Sequence, residues 1–224
     1  MKTPPKTITI EQAEKLIEEL GKSKKTRAAE TKAKRNKLLG LLMLDAGLRV
    51  GELSKLTITD LVYADDPVDT LYIRSSISKG GHPRQIPLTH KLRSAVREMG
   101  WNWIDIKSCK LGLYAFAGAD KTKHITTRQI ERIIEIASLA ALGQKINPHA
   151  LRHTFATRLM RITNARVVQE LLGHKNLQTT QIYTHPNHDD LANAISGMNN
   201  ATPKETKSSL QNAEINLATA GLGD

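Results

Sequence analysis

The chain has 224 residues, 39% hydrophobic and 25% charged, enough apolar side chain to bury a core as one domain with a short appendage. Lysine and arginine number 33 against 22 acidic residues, a net charge of +11, so the expected partner is a polyanion. The single cysteine, Cys109, excludes a disulfide framework and a four-cysteine zinc site and fits a reducing compartment. No apolar run approaches the roughly 18 residues of a membrane span, and the opening MKTPPKTITIEQ lacks the hydrophobic stretch of a secretory leader, so a cytoplasmic protein without membrane contact is expected.

Thr9 can cap a helix in which Ala13, Leu16, Ile17 and Leu20 recur at helical spacing, and Gly21 ends it. The stretch from Lys22 to Arg35 is dense in basic residues and runs into Leu38, Leu39, Leu41, Leu42 and Leu44, the pattern of a buried helix that stops at Gly47. A short helix follows from Val50. Residues 70–74 and 84–88 read as two strands around Ser78-Lys79-Gly80-Gly81-His82, a hairpin. Helical patterns then cover 92–99, 127–142, 147–160, 166–172, 177–183 and 189–198. Cys109, Trp101 and Trp103 read as packing residues. Beyond Asn200 the composition turns polar, with Thr202-Pro203 as a breaker and Leu210, Ile215 and Leu217 as the apolar anchors of a tail. The expected fold is mainly α with a small antiparallel β-sheet, in one main domain over residues 1–199 and a tail over 200–224.

Three motifs lead nowhere. Gly21-Lys22-Ser23 resembles the end of a phosphate-binding loop, but that motif needs a glycine at position 16, which is Leu16. His149 and His153 have zinc-gripping spacing without the glutamate a metalloprotease helix would carry between them. His185 and His188 flank Pro186 in what reads as a solvated turn. No metal and no cofactor is expected.

The informative stretch is Asn147-Pro148-His149-Ala150-Leu151-Arg152-His153-Thr154-Phe155-Ala156-Thr157. Pro148 in the first turn of a helix presents His149 and Arg152 three apart on one face. Downstream stand Leu171-Leu172-Gly173-His174 and, nine positions after His174, Tyr183 within Thr180-Gln181-Ile182-Tyr183-Thr184-His185. Upstream, Gly47-Leu48-Arg49-Val50-Gly51-Glu52-Leu53 sets Arg49 at a helix junction, and Lys79 tops the hairpin turn. Taken singly, each residue has a bland explanation: a helix-end cation, a solvated turn lysine, a satisfied histidine, a tyrosine on a helix rim. Six residue types in this order and context do not.

On the HALRHTFAT, LLGHKNLQTTQIYTH and GLRVGEL segments and the hairpin lysine, the chain resembles the tyrosine recombinases, or phage integrase family, with residues 8 to about 199 similar to their catalytic domain. The resemblance implies that α+β fold and a site-specific recombinase acting on double-stranded DNA through Tyr183. A 3′-phosphotyrosyl link preserves the phosphodiester energy, so neither nucleotide nor metal is called for. Two arginine forks, Arg49 and Arg152, suit the non-bridging oxygens of the attacked phosphate, which gain negative charge. A tyrosine with an ordinary pKa near 10 needs a base or a positive pocket, and the family assigns that place to His149, with His174 donating to a phosphate oxygen. Lys79 suits the acid that protonates the departing sugar oxygen. Glu52, one turn after Arg49, either orients that arginine or is a charge on an exposed helix face.

Family members carry a further N-terminal helical domain. This chain opens almost where the catalytic part begins, so the expectation is a chain without that core-binding domain. The basic run Lys22, Lys24, Lys25, Arg27, Lys34 and Arg35 either grips DNA backbone in its place or forms a solvated helix face, the two readings standing even. The resemblance further implies a monomer that assembles as a homotetramer on DNA, with the tail docking in trans through Leu210, Ile215 and Leu217. The rivals are a non-catalytic helix-turn-helix DNA-binding protein, suggested by two helices joined at Gly173, and strand relaxation of the type IB topoisomerase kind.

Overall fold

The computed structural model describes residues 7–23, 26–101, 114–118, 120 and 122–173, all within one compact unit. Helix α1 (Ile10–Gly21) opens on a reciprocal cap, in which the Thr9 hydroxyl accepts from the Gln12 amide at 3.2 Å and the Gln12 side chain accepts from the Thr9 amide at 3.0 Å. Its buried stripe of Ala13, Leu16, Ile17 and Leu20 lies against α2 (Arg27–Leu44). The second half of α2 is buried all round, with Leu38, Leu39, Leu41, Leu42 and Met43 fully inaccessible, so it forms the axis of the core. Gly40 permits the close approach of α1: a Cβ there would lie 2.6 Å from Leu20 Cδ1 and 2.8 Å from Ile17 Cδ1.

Past α2 the chain turns at Gly47, with φ of +60°, into the short α3 (Val50–Ser54) and α4 (Ile58–Leu61). Two separate two-stranded antiparallel sheets follow. Strands β1 (Val62–Tyr63) and β2 (Asp66–Pro67) form a ribbon whose two-residue turn, Ala64-Asp65, has positive φ at both positions, the primed geometry that matches strand twist. Strands β3 (Thr70–Ile73) and β4 (Arg84–Pro87) pair in the register Leu71 to Ile86 and Ile73 to Arg84. The hairpin is as expected; α4 and the β1–β2 ribbon are additions that the sequence pattern does not announce.

Helix α5 (His90–Glu98), capped by Thr89, packs on α2. Helix α6 (Thr127–Leu142) is capped by the Thr126–Gln129 pair, ends at left-handed Gly143 and packs on α1. Helix α7 (Pro148–Met160) begins with the Asn147 side chain accepting from the Ala150 amide at 2.8 Å and proline in its first turn. Phe155 and Ala156 of α7 meet Val168 and Leu172 of α8 (Ala165–Leu172) in a small second core. Thr154, buried in α7, accepts from the Ile8 amide at 3.0 Å and so ties the start of the described chain to this helix. The helical segments expected at 177–183 and 189–198, the packing residues Trp103 and Cys109, and the tail lie outside the described residues. Among the described residues no helix is long and apolar enough to cross a membrane.

Candidate active site

The site forms where five pieces of chain converge: the Gly47 turn, α3, the first residue of β4, the inner face of α7, and the C-terminal end of α8. Arg152, on the inner face of α7 and only 5% exposed, donates through Nη1 to the Gly47 carbonyl and through Nη2 to the Leu172 carbonyl at 2.6 Å. Arg49, at the N-terminus of α3, donates through Nη1 to Glu52 at 2.9 Å and through Nη2 to the Gly173 carbonyl at 3.4 Å. Its side chain keeps 19% of its surface open. Thus the two arginines expected to act together are brought to the same helix end.

Glu52 holds the centre, and the exposed-face alternative for it is overturned: its side chain is 1% exposed. The cause is geometric, because the helix is only five residues long and its N-terminal turn faces inward against β4. The carboxylate accepts four hydrogen bonds, from the Arg49 amide at 3.0 Å, Arg49 Nη1 at 2.9 Å, Arg84 Nη1 at 3.0 Å and Arg84 Nη2 at 2.7 Å. Burial by itself pushes this carboxyl up. The Arg84 fork, the Arg49 amide and the Arg49 charge outweigh it and bring Glu52 down to about 2. It is therefore an anion at any physiological pH.

Arg84 is the residue that sequence reasoning misses. It is buried, its third donor Nε reaches the Leu171 carbonyl at 2.9 Å, and its aliphatic stem passes so close to Gly173 that a Cβ there would lie 3.0 Å from Arg84 Cδ. A signal was present: in a strand, residues two apart share a face, and Arg84 shares parity with the buried Ile86 while Gln85 and Pro87 face out.

His149 and Lys79 stand apart from this network. Among the described residues no hydrogen bond joins either to the arginine cluster. His149 is exposed on α7, lines an open cleft with Val50, Arg128 and Asn147, and has its ring 6.5 Å from that of His153. The His153 imidazole is pushed down by burial first, then by the neighbouring His149 and Arg152 charges. Lys79 is exposed in the loop between β3 and β4. His174 and Tyr183 lie outside the described residues, one and ten positions past the last of them.

The basic run is divided. Lys22 is mostly exposed and pairs with Glu19 at 2.7 Å, Arg27 and Lys34 are exposed on α2, and Arg35 is half-buried against the Asn36 side chain. Lys24 and Lys25 lie outside the described residues.

A buried carboxylate and three arginines gathered at a helix end make a positively charged site chemically suited to an oxyanion. Comparison with known proteins shows the family. Residues 6–190 match the phage integrase family, and the chain belongs to it. It is 34% identical over 200 residues to tyrosine recombinase XerA of Pyrococcus furiosus, covering 88% of this chain and 63% of that protein. It is 35% identical over 191 residues to tyrosine recombinase XerC of Thermodesulfovibrio yellowstonii, covering 81% of this chain and 58% of the relative. The crystal structure of XerA recombinase superposes with a TM-score of 0.66 at 28% identity, over 88% of this chain and 65% of that one. XerH site-specific recombinase bound to its difH substrate in a pre-cleavage complex superposes with a TM-score of 0.62 at 29% identity, over 87% and 55%. The fold expected from sequence, mainly helical with small antiparallel sheets, is that of these catalytic domains. The chain spans 58–63% of the length of the XerA and XerC relatives named above.

Proposed function

We propose that the chain is a metal-independent, site-specific DNA recombinase whose nucleophile is Tyr183. The observation that carries this reading is the convergence of Arg49 and Arg152 on the end of α8, immediately before His174 in a segment that also supplies Tyr183. Arg49 and Arg152 hold the non-bridging oxygens of the scissile phosphate, and their fixed charge is worth most where charge grows in the transition state. The Tyr183 oxygen bonds to phosphorus as the bond to the 5′ oxygen breaks. His149 takes the phenolic proton, Lys79 supplies a proton to the departing 5′ oxygen, and His174 donates to a phosphate oxygen. The product is a 3′-phosphotyrosyl link and a free 5′-hydroxyl. Attack on that link by the 5′-hydroxyl of a second strand releases Tyr183 and exchanges the strands. Because the arginines meet the phosphate charge and the link retains the bond energy, the steps as written require neither a metal nor a nucleotide.

On this reading the protein works in the cytoplasm, is monomeric alone and assembles as a homotetramer on double-stranded DNA. Residues 1–199 form the catalytic domain, and the tail, 200–224, docks in trans through Leu210, Ile215 and Leu217. Lys22, Lys24, Lys25, Arg27, Lys34 and Arg35 contact the DNA backbone.

The test is covalent capture. The protein is incubated in EDTA with nicked duplexes carrying the repeats that flank its own gene, and protein–DNA adducts are resolved on a denaturing gel. An adduct that persists in EDTA and is absent with Tyr183→Phe supports the reading; DNA binding without any adduct overturns it in favour of a plain DNA-binding module. Deletion of 201–224 with unchanged assembly on DNA refutes the docking of the tail.

A further inference from the structure

Three successive carbonyls at the end of α8 each receive one arginine: Leu171 from Arg84, Leu172 from Arg152 and Gly173 from Arg49. A helix end leaves its last carbonyls without intrahelical partners and carries partial negative charge, so it is a natural seat for guanidinium groups. Two of these arginines belong to the proposed phosphate site. The third differs from them in what its donors do. Arg84 turns Nη1 and Nη2 onto both oxygens of Glu52 and Nε onto Leu171, and its side chain is 1% exposed, so it has no face toward a bound phosphate.

We propose that Arg84 is a positioning residue for DNA cleavage, which fixes Glu52 and the end of α8 relative to each other so that Arg49 is presented in cleavage geometry. The proposal rests on the recombinase reading. The path is short. Arg84 holds both Glu52 oxygens, Glu52 holds the Arg49 side chain and amide, and Arg84 Nε holds the helix end whose next carbonyls hold Arg152 and Arg49. Stability does not account for the arrangement, since a buried ion pair is commonly no better for folding than apolar residues of the same volume. A fork is required as well: a lysine ammonium can reach one carboxylate oxygen but cannot span two oxygens and a carbonyl at fixed angles.

The groups facing Glu52 are Arg49 from α3 and Arg84 from β4, with Arg152 of α7 bound to the adjoining Gly47 and Leu172 carbonyls. Removing Arg84 leaves the burial that pushes Glu52 up opposed by Arg49 alone. The carboxyl then protonates at higher pH, and its hold on Arg49 weakens as acid is added.

The experiment measures single-turnover adduct formation on the nicked duplex for wild type, Arg84→Met and Arg84→Lys, at saturating DNA and from pH 5 to 8. DNA affinity is measured separately by anisotropy and folding by circular dichroism. The expected result for Arg84→Met is a cleavage rate lowered about 100-fold, the cost of a misplacement near 1 Å, with DNA affinity within about threefold of wild type. The ratio of its rate to that of wild type falls further as pH is lowered, and Arg84→Lys lies between the two. A folded Arg84→Met that cleaves at the wild-type rate, or whose loss lies wholly in DNA affinity with a rate ratio that does not change with pH, overturns the proposal. If Arg84→Met does not fold, Arg84→Lys decides, a rate lowered about tenfold supporting it and a wild-type rate refuting it. Failure of the recombinase reading is recognised separately, because wild type then gives no adduct at any pH and the role assigned to Arg84 falls with it.

Discussion

Replacing Glu52 by glutamine changes almost nothing in size and removes the one negative charge among three arginines. In the native site the two carboxylate oxygens accept four hydrogen bonds, two on each. An amide has one carbonyl oxygen and one NH2 group, so whichever way it is turned two donors lose their acceptor and face another donor. The cost can be reached in two ways. The fall of the Glu52 pKa from its ordinary 4.5 to about 2 corresponds to about 3 kcal/mol of preference for the charged form, at roughly 1.4 kcal/mol per pH unit. Removing one partner of a buried ion pair typically costs about 3–5 kcal/mol. These are two views of one effect and do not add. Glu52→Gln is therefore expected to lose about 3–4 kcal/mol at pH 7 in urea unfolding. The sign of its pH dependence follows from the depressed pKa: the contribution of Glu52 is complete above about 4.5 and is lost as pH falls through about 2. Wild type and variant should therefore converge on acidification from pH 5 to pH 3, the other carboxylates cancelling in the comparison. A difference below about 1 kcal/mol at pH 7, or one that does not narrow in acid, would refute the account of Glu52 as the charged centre of the site.

Gly173→Ala places a Cβ at φ of +61° and 3.0 Å from Arg84 Cδ; a loss of about 2 kcal/mol, seen as a melting temperature about 4–8 °C lower, is expected, together with slower adduct formation. Gly47→Ala meets φ of +60° and the buried ring of Phe155 within the Cβ exclusion distance, and shifts the carbonyl that Arg152 uses, so chemical denaturation should show about 3 kcal/mol or more lost. Thr154→Val keeps the shape of a buried side chain while orphaning the Ile8 amide; about 1–3 kcal/mol is expected, with faster hydrogen exchange at Ile8 and unchanged exchange in α6.

Much of the helical framework is legible in the sequence because caps and apolar spacing agree. Thr9 with Gln12, Asn147 with Pro148, and Thr126 with Gln129 each stand directly ahead of a buried stripe. The ribbon of β1 and β2 is not legible, since strands of two residues carry no period and the Ala64-Asp65 turn lacks the glycine that usually marks its geometry. Arg49 and Arg152 are found by spacing and resemblance, and the structure adds what holds them. Glu52 is ambiguous in sequence because five helical residues show no reliable face. Arg84 is invisible because an arginine in a strand normally marks the solvent side, and only its parity with Ile86 argues otherwise. Both are cases in which charge is buried against charge, a tertiary fact that local pattern does not encode.

The charge of the cluster is left unbalanced. Arg49, Arg84 and Arg152 bring three positive charges, Glu52 returns one negative charge, and the end of α8 adds the equivalent of about half of another. An excess of positive charge therefore remains around Arg49, the most open of the three side chains. A second carboxylate would balance the site and improve folding, and it would also compete directly with a phosphate. The helix end eases that conflict, since its carbonyls orient guanidinium groups while offsetting only part of their charge. Gly173 makes this possible at one point of the backbone. Its left-handed conformation ends α8, its carbonyl takes Arg49, and its missing side chain admits Arg84. The chain leaves that point directly into His174 and, nine residues later, Tyr183. The backbone that seats the arginines is thus continuous in sequence with the segment that holds the proposed nucleophile.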